Sequence, residues 1–398
     1  MANNNENKIL NVPNLRFPEF SGEWKKASLQ DIATVNPKSV SLQDSFVYID
    51  LEAVEKGELK KIQEIIRKDA PSRAQRVIYK NDILFQCVRP YQRNNYIHKI
   101  QDKSNKQWVA STGYAQIRTT ETQNYIYHLL NTDGFNRKVM VRCTGSSYPA
   151  INSEDLATIR FYLATDTSEQ LKISRLFDLL DERIATQNKI IEKLQSLIKG
   201  LIDDIITLKC GQLVAFETLY SKAGEGGTPT TSNTEFYDNG SIPFIKIDDL
   251  SNKYLSANKD YITELGLKKS SAWLIPTHSI IYSNGATIGA ISINKYPVCT
   301  KQGILGIVPN TNIDVEFLYY FMQSSYFQKE VERVVTEGTM KTAYLKDINH
   351  IKCPIPDLDR QKEISHLLSV LSLKEDVERQ LLQKYQIQKQ YLLRKMFI

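Results

Sequence analysis

Cysteine and histidine are scarce in this sequence and are never clustered. The five cysteines, at positions 87, 143, 210, 299 and 353, stand singly with no CxxC pair, and the five histidines show no HxxH or HExxH spacing. Zinc sites and disulfide frameworks need clustered cysteines or histidines, so the sequence predicts no zinc site and no disulfide framework. It contains no pattern of another metal site. Unpaired cysteines fit a reducing cytoplasm.

Long apolar runs are also missing. No stretch approaches the roughly 18 apolar residues that a membrane helix needs. The Asn-rich start, MANNNENKILNVPNLRF, lacks the basic-then-apolar order of a secretion signal. A content of 41% hydrophobic and 24% charged residues is typical of a soluble globular protein, and 398 residues suffice for two domains. We therefore expect a cytoplasmic protein of two domains.

Signatures of nucleic-acid enzymes are absent as well. The chain has no GxxxxGK[ST] phosphate loop, because GEGGTPT near Gly224 lacks the lysine, and it has no NPP[YF] or FxGxG motif of adenine methyltransferases. Pro356-Asp357 is not followed by the acidic-x-Lys triplet of common nucleases. The sequence therefore predicts a non-catalytic protein with no catalytic residue and no cofactor of its own.

Positive charge is present but unevenly placed. The net charge of +6 is too mild to indicate a nucleic-acid partner by itself. Between Lys60 and Lys106 there are twelve basic and four acidic residues, whereas between Glu217 and Asp347 there are twelve basic and fourteen acidic residues. The first half thus has the concentrated basic charge typical of nucleic-acid contact, and charge gives the second half no such support.

Self-similarity is the strongest signal in the sequence. The segment SEQLKISRLFDLLDERIATQNKIIEKL from Ser168 aligns with DRQKEISHLLSVLSLKEDVERQLLQKY from Asp359 at an offset of 191, and SEDLATIRFYL aligns with LKDINHIKCPI at an offset of 192. A weaker likeness joins IYHLLNTDGF from Ile126 to LYYFMQSSYF from Leu318. The repeating unit is therefore a whole domain and not a solenoid turn.

Each repeat ends in an apolar pattern with helical spacing. From Ile191 the apolar steps are 3, 4, 3, 4 and 3, which is the seam of a coiled coil. About 40 residues at 1.5 Å each predict a helix of roughly 60 Å. Neither helix can bury its stripe alone, so we expect the two to pair. The predicted seam comprises Ile191, Leu194, Ile198, Leu201 and Ile205 in the first helix and Leu382, Tyr385, Leu392 and Met396 in the second.

The repeat divides the chain into five predicted segments. They are a flexible tail (1–16), a first α/β domain (17–167), a first long helix (168–210), a second α/β domain (211–358) and a second long helix (359–398). The predicted fold class is α/β (α+β) domains in tandem, each followed by a long helix. The same plan also fits a scaffold with two protein-binding heads on a coiled coil, so the domain motifs must decide.

Basic and aromatic residues alternate in the first domain, in APSRAQRVIYKNDILFQCVRPYQRNN from Ala70 to Asn95 and in STGYA. Arginine holds phosphates or reads guanine, and asparagine reads adenine. A solvated basic face in which Arg89 pairs with Asp82 is the alternative interpretation.

Glycines mark the second domain, in GGTPTTSNTEFYDNGSIPFIKIDDL from Gly226 and in YSNGATIGA from Tyr282. A β-turn is the simpler explanation of Gly226, Gly227, Gly285 and Gly289, and close contact with a ligand is the other.

These blocks, taken in order, resemble the specificity subunits of type I restriction-modification systems. The likeness rests on VPNLRFPEFSGEW, APSRAQR, VRPYQRN, STGYA, the block from GGTP to IPFIKIDDL, NGATIG, and EQLKI and RQKEI before the two long helices. The resemblance implies that each domain is a target recognition domain for one half of a split, asymmetric DNA site. It also implies an antiparallel helix pair that fixes the gap between half-sites and docks two modification subunits. Those subunits would carry S-adenosylmethionine and methylate adenine, and restriction subunits using ATP and Mg could join them.

We predict phosphate or base contacts from polar residues in both domains. In the first domain they are Arg73, Arg76, Arg89, Arg93, Asn94, Tyr114, Ser146, Ser147 and Tyr148. In the second they are Lys246, Ser283, Asn284, Thr287, Lys301, Gln302, Thr339 and Lys341. A phosphate contact should affect all DNA sequences alike, whereas a base contact should affect one position.

Overall fold

The computed structural model describes residues 11–100, 106–207, 211–255, 257–285, 287–336 and 341–398. Two compact units form: unit 1 contains Met1–Gln187 with Leu381–Ile398, and unit 2 contains Asn188–Gln380. Each long helix therefore contributes to both units, whereas the sequence predicted helices separate from the domains. Within the described ranges, no helix has the length and apolar character needed to cross a membrane.

Unit 1 contains twelve strands among its described residues. They are β1 (Lys25–Ser28), β2 (Ala33–Val35), β3 (Ser45–Ile49), β4 (Val54–Glu55), β5 (Glu58–Leu59), β6 (Gln63–Ile66), β7 (Ala74–Ile78), β8 (Ile83–Gln86), β9 (Tyr96–Ile97), β10 (Gln107–Ser111), β11 (Tyr114–Thr119) and β12 (Arg160–Leu163). Two four-stranded sheets have the orders β6-β3-β10-β7 and β2-β11-β8-β9, while β1 pairs with β12 and β4 with β5.

The helices of unit 1 pack on these sheets. They are α1 (Leu29–Ile32), α2 (Gln123–Leu130), α3 (Asp133–Arg142), α4 (Ser153–Ala157) and the first part of α5 (Thr167–Thr207). Thr132 caps α3, because its side chain accepts a hydrogen bond from the Phe135 backbone N–H at 3.2 Å. The main core joins residues of α2, α3 and α5 to the β2-β11-β8-β9 sheet, with fully buried Tyr125 and Phe177 among them.

Unit 2 begins within α5 and contains nine strands among its described residues. The strands are β13 (Gln212–Ala215), β14 (Tyr220–Glu225), β15 (Ile242–Ile245), β16 (Asp260–Ile262), β17 (Ile280–Ser283), β18 (Ile291–Ile293), β19 (Cys299–Thr300), β20 (Ile304–Pro309) and β21 (Lys352–Ile355). The helices are α6 (Glu264–Lys268), α7 (Val315–Gln323), α8 (Ser325–Val334), α9 (Leu345–Ile348) and the first part of α10 (Leu358–Met396).

The two units repeat one topology, which confirms the internal repeat. Unit 2 pairs β13 with β21 as unit 1 pairs β1 with β12, and its sheets β16-β15-β19 and β14-β20-β17-β18 match β6-β3-β10 and β2-β11-β8-β9. The parallel pairing of β3 with β10 recurs between β15 and β19. Helices α2, α3 and α4 recur as α7, α8 and α9.

A repeated glutamine ties each long helix to its domain. The Gln170 Oε1 accepts from the Thr122 backbone N–H at 3.3 Å, and its Nε2 donates to the Ala164 carbonyl at 2.8 Å. Gln361 does the same with the Asp314 N–H at 2.9 Å and the Pro356 carbonyl at 2.9 Å. Both side chains are 1% exposed. This shared contact is the physical reason for the glutamine in EQLKI and RQKEI.

Replacing Gln361 by methionine should lower the free energy of unfolding of unit 2 by about 1–3 kcal/mol, because buried backbone groups lose their partners. Hydrogen exchange of the segment 312–318 measures this local loss. Gln388→Met is the matched control, since Gln388 is an exposed glutamine on the same helix. Equal protection in the two variants would contradict the role assigned to Gln361.

Within unit 1, the segments of α5 and α10 run antiparallel. The Arg183 Nε donates to the Tyr385 hydroxyl at 3.0 Å, and Lys389 forms an ion pair with Asp181. Further along, the rings of Phe177 and Phe397 are 5.9 Å apart. The residue numbers of the contacts in the second segment rise as those in α5 fall, which is the order expected of an antiparallel pair. A coiled-coil seam along the whole helices stays a prediction.

The predicted seam residues are divided between the units. In unit 2, Ile191 and Ile198 are buried and Leu194 and Leu201 are half-buried, while the Ile205 side chain lies outside the described residues. In unit 1, Met396 is buried, and the half-buried members are Leu382, Tyr385 and Leu392. Ile198 joins the unit 2 core and Met396 joins the unit 1 core, so these residues pack against their domains as well as along a helix face.

Residues 15 and 16 of the predicted flexible tail (1–16) contact the rest of unit 1, and residues 1–10 lie outside the described ranges. The Arg16 guanidinium binds both carboxylate oxygens of Glu169, at 2.6 and 2.7 Å. The Leu15 backbone N–H donates to the Lys395 carbonyl at 2.9 Å. These contacts fix the segment to the start of α5 and the end of α10.

Candidate nucleic-acid interface

A groove of about 880 Å³ opens in unit 1. We call it the first groove, and its lining residues come from five parts of the domain: Leu51, Glu52, Val54, Glu55, Arg73, Gln86, Val88, Arg89, Gln92, Asn94, Thr112, Gly113 and Tyr148. Four predicted contact residues, Arg73, Arg89, Asn94 and Tyr148, are brought together here. They are up to 75 positions apart in the sequence, so only the fold unites them.

Arg89 and Tyr148 form one edge of the first groove. The Arg89 backbone is left-handed, with a φ of 54°, and its N–H donates to the Pro149 carbonyl at 2.8 Å. This turn places the guanidinium 4.3 Å from the centre of the Tyr148 ring, which is 64% exposed. A cation held flat on an exposed ring can stack on a base or bind a phosphate. The predicted alternative of an Arg89–Asp82 pair is wrong, because Asp82 binds Arg118 at 2.7 Å.

Three amide side chains form the floor of the first groove. The Gln86 Nε2 donates to the Gln92 Oε1 at 2.8 Å, and the Gln86 Oε1 accepts from the Asn94 backbone N–H at 3.0 Å. The Asn94 Oδ1 accepts from the Lys56 backbone N–H at 3.0 Å. These bonds fix the amide groups without using the Asn94 Nδ2, which suits the reading of base edges. Sequence reasoning missed Gln86 and Gln92, although both amides lie within the motif that it singled out.

Of two further predicted residues in the first domain, one has a structural partner and the other is partly buried. Arg93 forms an ion pair with Asp133 at 2.8 Å and thereby fixes the start of α3. Arg76 is half-buried on β7, and burial lowers its pKa. Both stay predictions as DNA contacts, and Ser146 and Ser147 remain exposed on the loop that leads to Tyr148.

Tyr114 requires a correction, since it is a core residue. Its side chain is 0% exposed, and its hydroxyl donates to the Asp50 carbonyl at 3.2 Å. Tyr114 lies opposite Gln86 in the strand pair and belongs to a hydrophobic core cluster with Ile49 and Trp108. A buried ring cannot contact DNA directly, so Tyr114 is not brought together with the exposed predicted residues.

In unit 2, the turn that carries Lys301 and Gln302 meets two other predicted segments. The backbone N–H groups of Asn284 and Gly285 donate to the Gly303 carbonyl at 3.1 and 3.2 Å. The Gln302 N–H donates to the Thr228 Oγ1 at 3.4 Å. Lys301, Gln302, Thr287 and Lys341 are exposed, and Thr339 lies outside the described residues.

Ser283 and Asn284 also require a correction. They are 0% and 1% exposed, and the Asn284 Nδ2 donates to the Ala343 carbonyl at 3.1 Å. Both residues hold neighbouring segments together instead of facing solvent. Lys246 is exposed but forms an ion pair with Asp260 at 2.8 Å, so it would have to exchange this partner to bind a phosphate.

Gly226 is explained by backbone packing. A Cβ at this position would lie 2.1 Å from the Thr300 carbonyl oxygen, so only glycine fits. Close backbone packing therefore explains this glycine, and the predicted β-turn is not seen at Gly226.

Among the described residues, no three His, Cys, Asp or Glu side chains are placed to hold a metal ion. Burial raises the pKa of the Cys87 and Cys353 thiols to about 12, which keeps both in the unreactive protonated form.

Two copies of one α/β unit, each with a polar surface built from loops at strand ends, define a class of tandem recognition proteins. The family model for the type I restriction modification DNA specificity domain matches residues 21–196 and 220–385. The chain belongs to this family, which confirms the resemblance noted from the sequence.

Known relatives agree with this assignment. The chain is 30% identical to the type I restriction enzyme EcoR124I/EcoR124II specificity subunit of Escherichia coli over 172 residues, which are 42% of each chain. It is 23% identical to the HindI specificity subunit of Haemophilus influenzae over 405 positions, covering 80% of this chain and 86% of that protein. The first of these alignments thus spans less than half of its relative.

Two solved structures share the fold. A chain from a study of complex assembly and conformational transition in a type I restriction-modification system superposes with a TM-score of 0.60 at 19% identity, covering 94% of this chain and 97% of that one. The type I system S subunit from M. genitalium gives a TM-score of 0.58 at 14% identity, covering 97% and 99%.

Proposed function

We propose that this protein selects the DNA sequence for a type I restriction-modification complex. Unit 1 and unit 2 each bind one half of a bipartite, asymmetric site. The observation that carries this proposal is the repeated topology with diverged contact residues. One scaffold is kept twice, while Arg73, Arg89 and Tyr148 in the first copy have no like residues among the polar groups of the second. Two half-sites of different sequence require such divergence.

The long helices serve partner subunits in this proposal. Helix α5 has 41 residues and α10 has 39, so each is about 60 Å long at 1.5 Å per residue. Both keep large apolar side chains exposed, which marks protein-binding surfaces: Leu171, Leu179, Ile190, Leu197, Leu367, Val370, Leu373, Val377, Ile387 and Tyr391. Two modification subunits would dock here and supply S-adenosylmethionine. Restriction subunits, where present, would supply ATP and Mg chemistry, and this chain would remain non-catalytic.

Methylome sequencing of the host tests the proposal. Deleting the gene should abolish adenine methylation at one bipartite motif, and restoring the gene should restore it. Unchanged methylation would reject the proposed function. If the motif persists and the purified chain shows no sequence-dependent DNA retention with modification subunits, a protein-binding scaffold becomes the better interpretation.

Arg89→Ala should weaken binding of the assembled methyltransferase to its site by about 5- to 150-fold, which corresponds to the 1–3 kcal/mol of a base contact. Competition binding against duplexes altered at single positions measures this loss of affinity. The variant should lose its preference for the correct base at one position of one half-site. Arg67→Ala is the control, since Arg67 is an exposed arginine of the same unit outside the first groove. Equal affinities of the two variants would remove Arg89 from the interface.

A further inference from the structure

A second concave surface of unit 1, with a volume of about 790 Å³, is strongly cationic. It lies between α3 and the paired strands β1 and β12, and we call it the cationic pocket. Five basic side chains line it, and no Asp or Glu is among its described lining residues: Lys26, Arg137, Lys138, Arg142 and Arg160. The first groove, by contrast, balances two arginines with Glu52 and Glu55.

Among the residues that the structure describes, the side chains of these five cations have neutral hydrogen-bond partners or none. The Lys138 Nζ donates to the Arg160 carbonyl at 3.0 Å, and the Arg142 Nη1 donates to the Thr158 Oγ1 at 2.7 Å. Burial and the nearby charge of Lys26 lower the pKa of Lys138. Arg160 helps to lower the pKa of Asp31, but that carboxylate is bound by the Ser28 hydroxyl at 2.6 Å. Like charges thus gather here without a carboxylate inside the pocket to balance them.

Only part of this charge recurs in the second copy of the fold. In unit 2, α8 and β21 form the same elements with Glu330 at the place of Lys138 and Val334 at the place of Arg142. Glu330 also forms an ion pair with Arg333. At the places of Arg137 and Arg160, unit 2 has Lys329 and Lys352. The second copy thus folds without a cation at the places of Lys138 and Arg142, so packing of the shared elements does not require those two charges.

Position and spacing indicate the ligand. Arg142 in the pocket and Tyr148 in the first groove are six residues apart, on the loop that follows α3. Arg137 to Arg142 span about 7.5 Å along the helix axis, a length over which duplex DNA carries about four phosphates. Six residues span at most about 20 Å, so a duplex seated on the first groove and longer than this span can also reach the pocket with its backbone phosphates.

We propose that the cationic pocket binds the phosphodiester backbone of duplex DNA and contributes affinity without reading sequence. This inference rests on the proposed function, because it takes DNA binding by unit 1 as given. It adds a second, sequence-independent contact surface beside the one that reads bases.

The triple variant Lys26→Gln, Arg137→Gln and Arg160→Gln tests the pocket. These side chains make no hydrogen bond or ion pair within the described chain, so the variant should fold. In the assembled methyltransferase, the slope of log Kobs against log salt should become shallower by about 2.7, which is 0.9 for each of three phosphate contacts. Affinity should fall equally for the cognate duplex and for an unrelated duplex.

The control variant carries Lys259→Gln, Lys268→Gln and Lys269→Gln, three exposed lysines of unit 2 outside the pocket. It removes the same net charge and should leave the slope unchanged. An unchanged slope in the pocket variant would overturn the inference and indicate a surface without a ligand. Loss of modification-subunit binding without a change in slope would overturn it as well and indicate a protein-binding surface. Absence of sequence-dependent binding by the unaltered complex would instead reject the proposed function.

Discussion

Arg16→Met should destabilise unit 1 by about 3–5 kcal/mol, because it leaves the Glu169 carboxylate in the protein interior without its counter-charge. Glu169 is 0% exposed and receives two short hydrogen bonds from Arg16. The same guanidinium also donates to the Gly22 carbonyl at 2.6 Å and the Ser21 carbonyl at 3.1 Å. Urea unfolding followed by fluorescence detects the loss, since Trp24 lies buried in the same unit.

The double variant Arg16→Met with Glu169→Gln distinguishes a lone buried charge from lost packing. Neutralising the carboxylate should recover more than half of the lost stability, because a buried amide costs far less than a buried charge. Lys172→Met is the matched control, since Lys172 forms an exposed ion pair with Glu19. A loss below about 1 kcal/mol for Arg16→Met, as for exposed pairs, would contradict the assigned role.

Phe397→Ala is expected to have an effect of similar size, about 3–5 kcal/mol, because it opens a cavity in a closed aromatic cluster. Phe397 is 7% exposed, and its ring centre lies 5.3 Å from Tyr125, 5.9 Å from Phe177 and 6.2 Å from Trp24. Hydrogen exchange of α2 should accelerate, since Tyr125 loses a partner. Tyr391→Ala on the same helix is the control, as this ring is 55% exposed. Equal exchange in both variants would show that the cluster does not depend on Phe397.

Much of the fold could be predicted from the sequence, because repetition and apolar spacing are local properties of the chain. The helices predicted at 168–210 and 359–398 are found at Thr167–Thr207 and Leu358–Met396, with residues 208–210 outside the described ranges. The spacing of the apolar residues and the flanking glutamines were sufficient to predict these helices. The shared use of each helix by both units was not predictable, since it depends on contacts between distant segments.

The contact residues were harder to predict, because residue type does not show which way a side chain points. Tyr114 and Asn284 lie in motifs rich in predicted contact residues, yet both are buried, at 0% and 1% exposed. Gln86 and Gln92 were missed since glutamine amides acquire a role only when the groove brings them together. Arg16 and Glu169 are 153 positions apart, and no local pattern connects them.

The division of the helices between the units affects the order in which the protein can fold during synthesis. Unit 2 is one continuous stretch, Asn188–Gln380, whereas the unit 1 core includes Leu393, Met396 and Phe397. Domains made first usually fold first on the ribosome. Here the earlier-made domain must wait, with Trp24 and Phe177 incompletely covered, until the segment that closes its core has emerged. Incompletely folded unit 1 would therefore persist longer than incompletely folded unit 2, and it would be the main substrate of a chaperone that acts on the nascent chain.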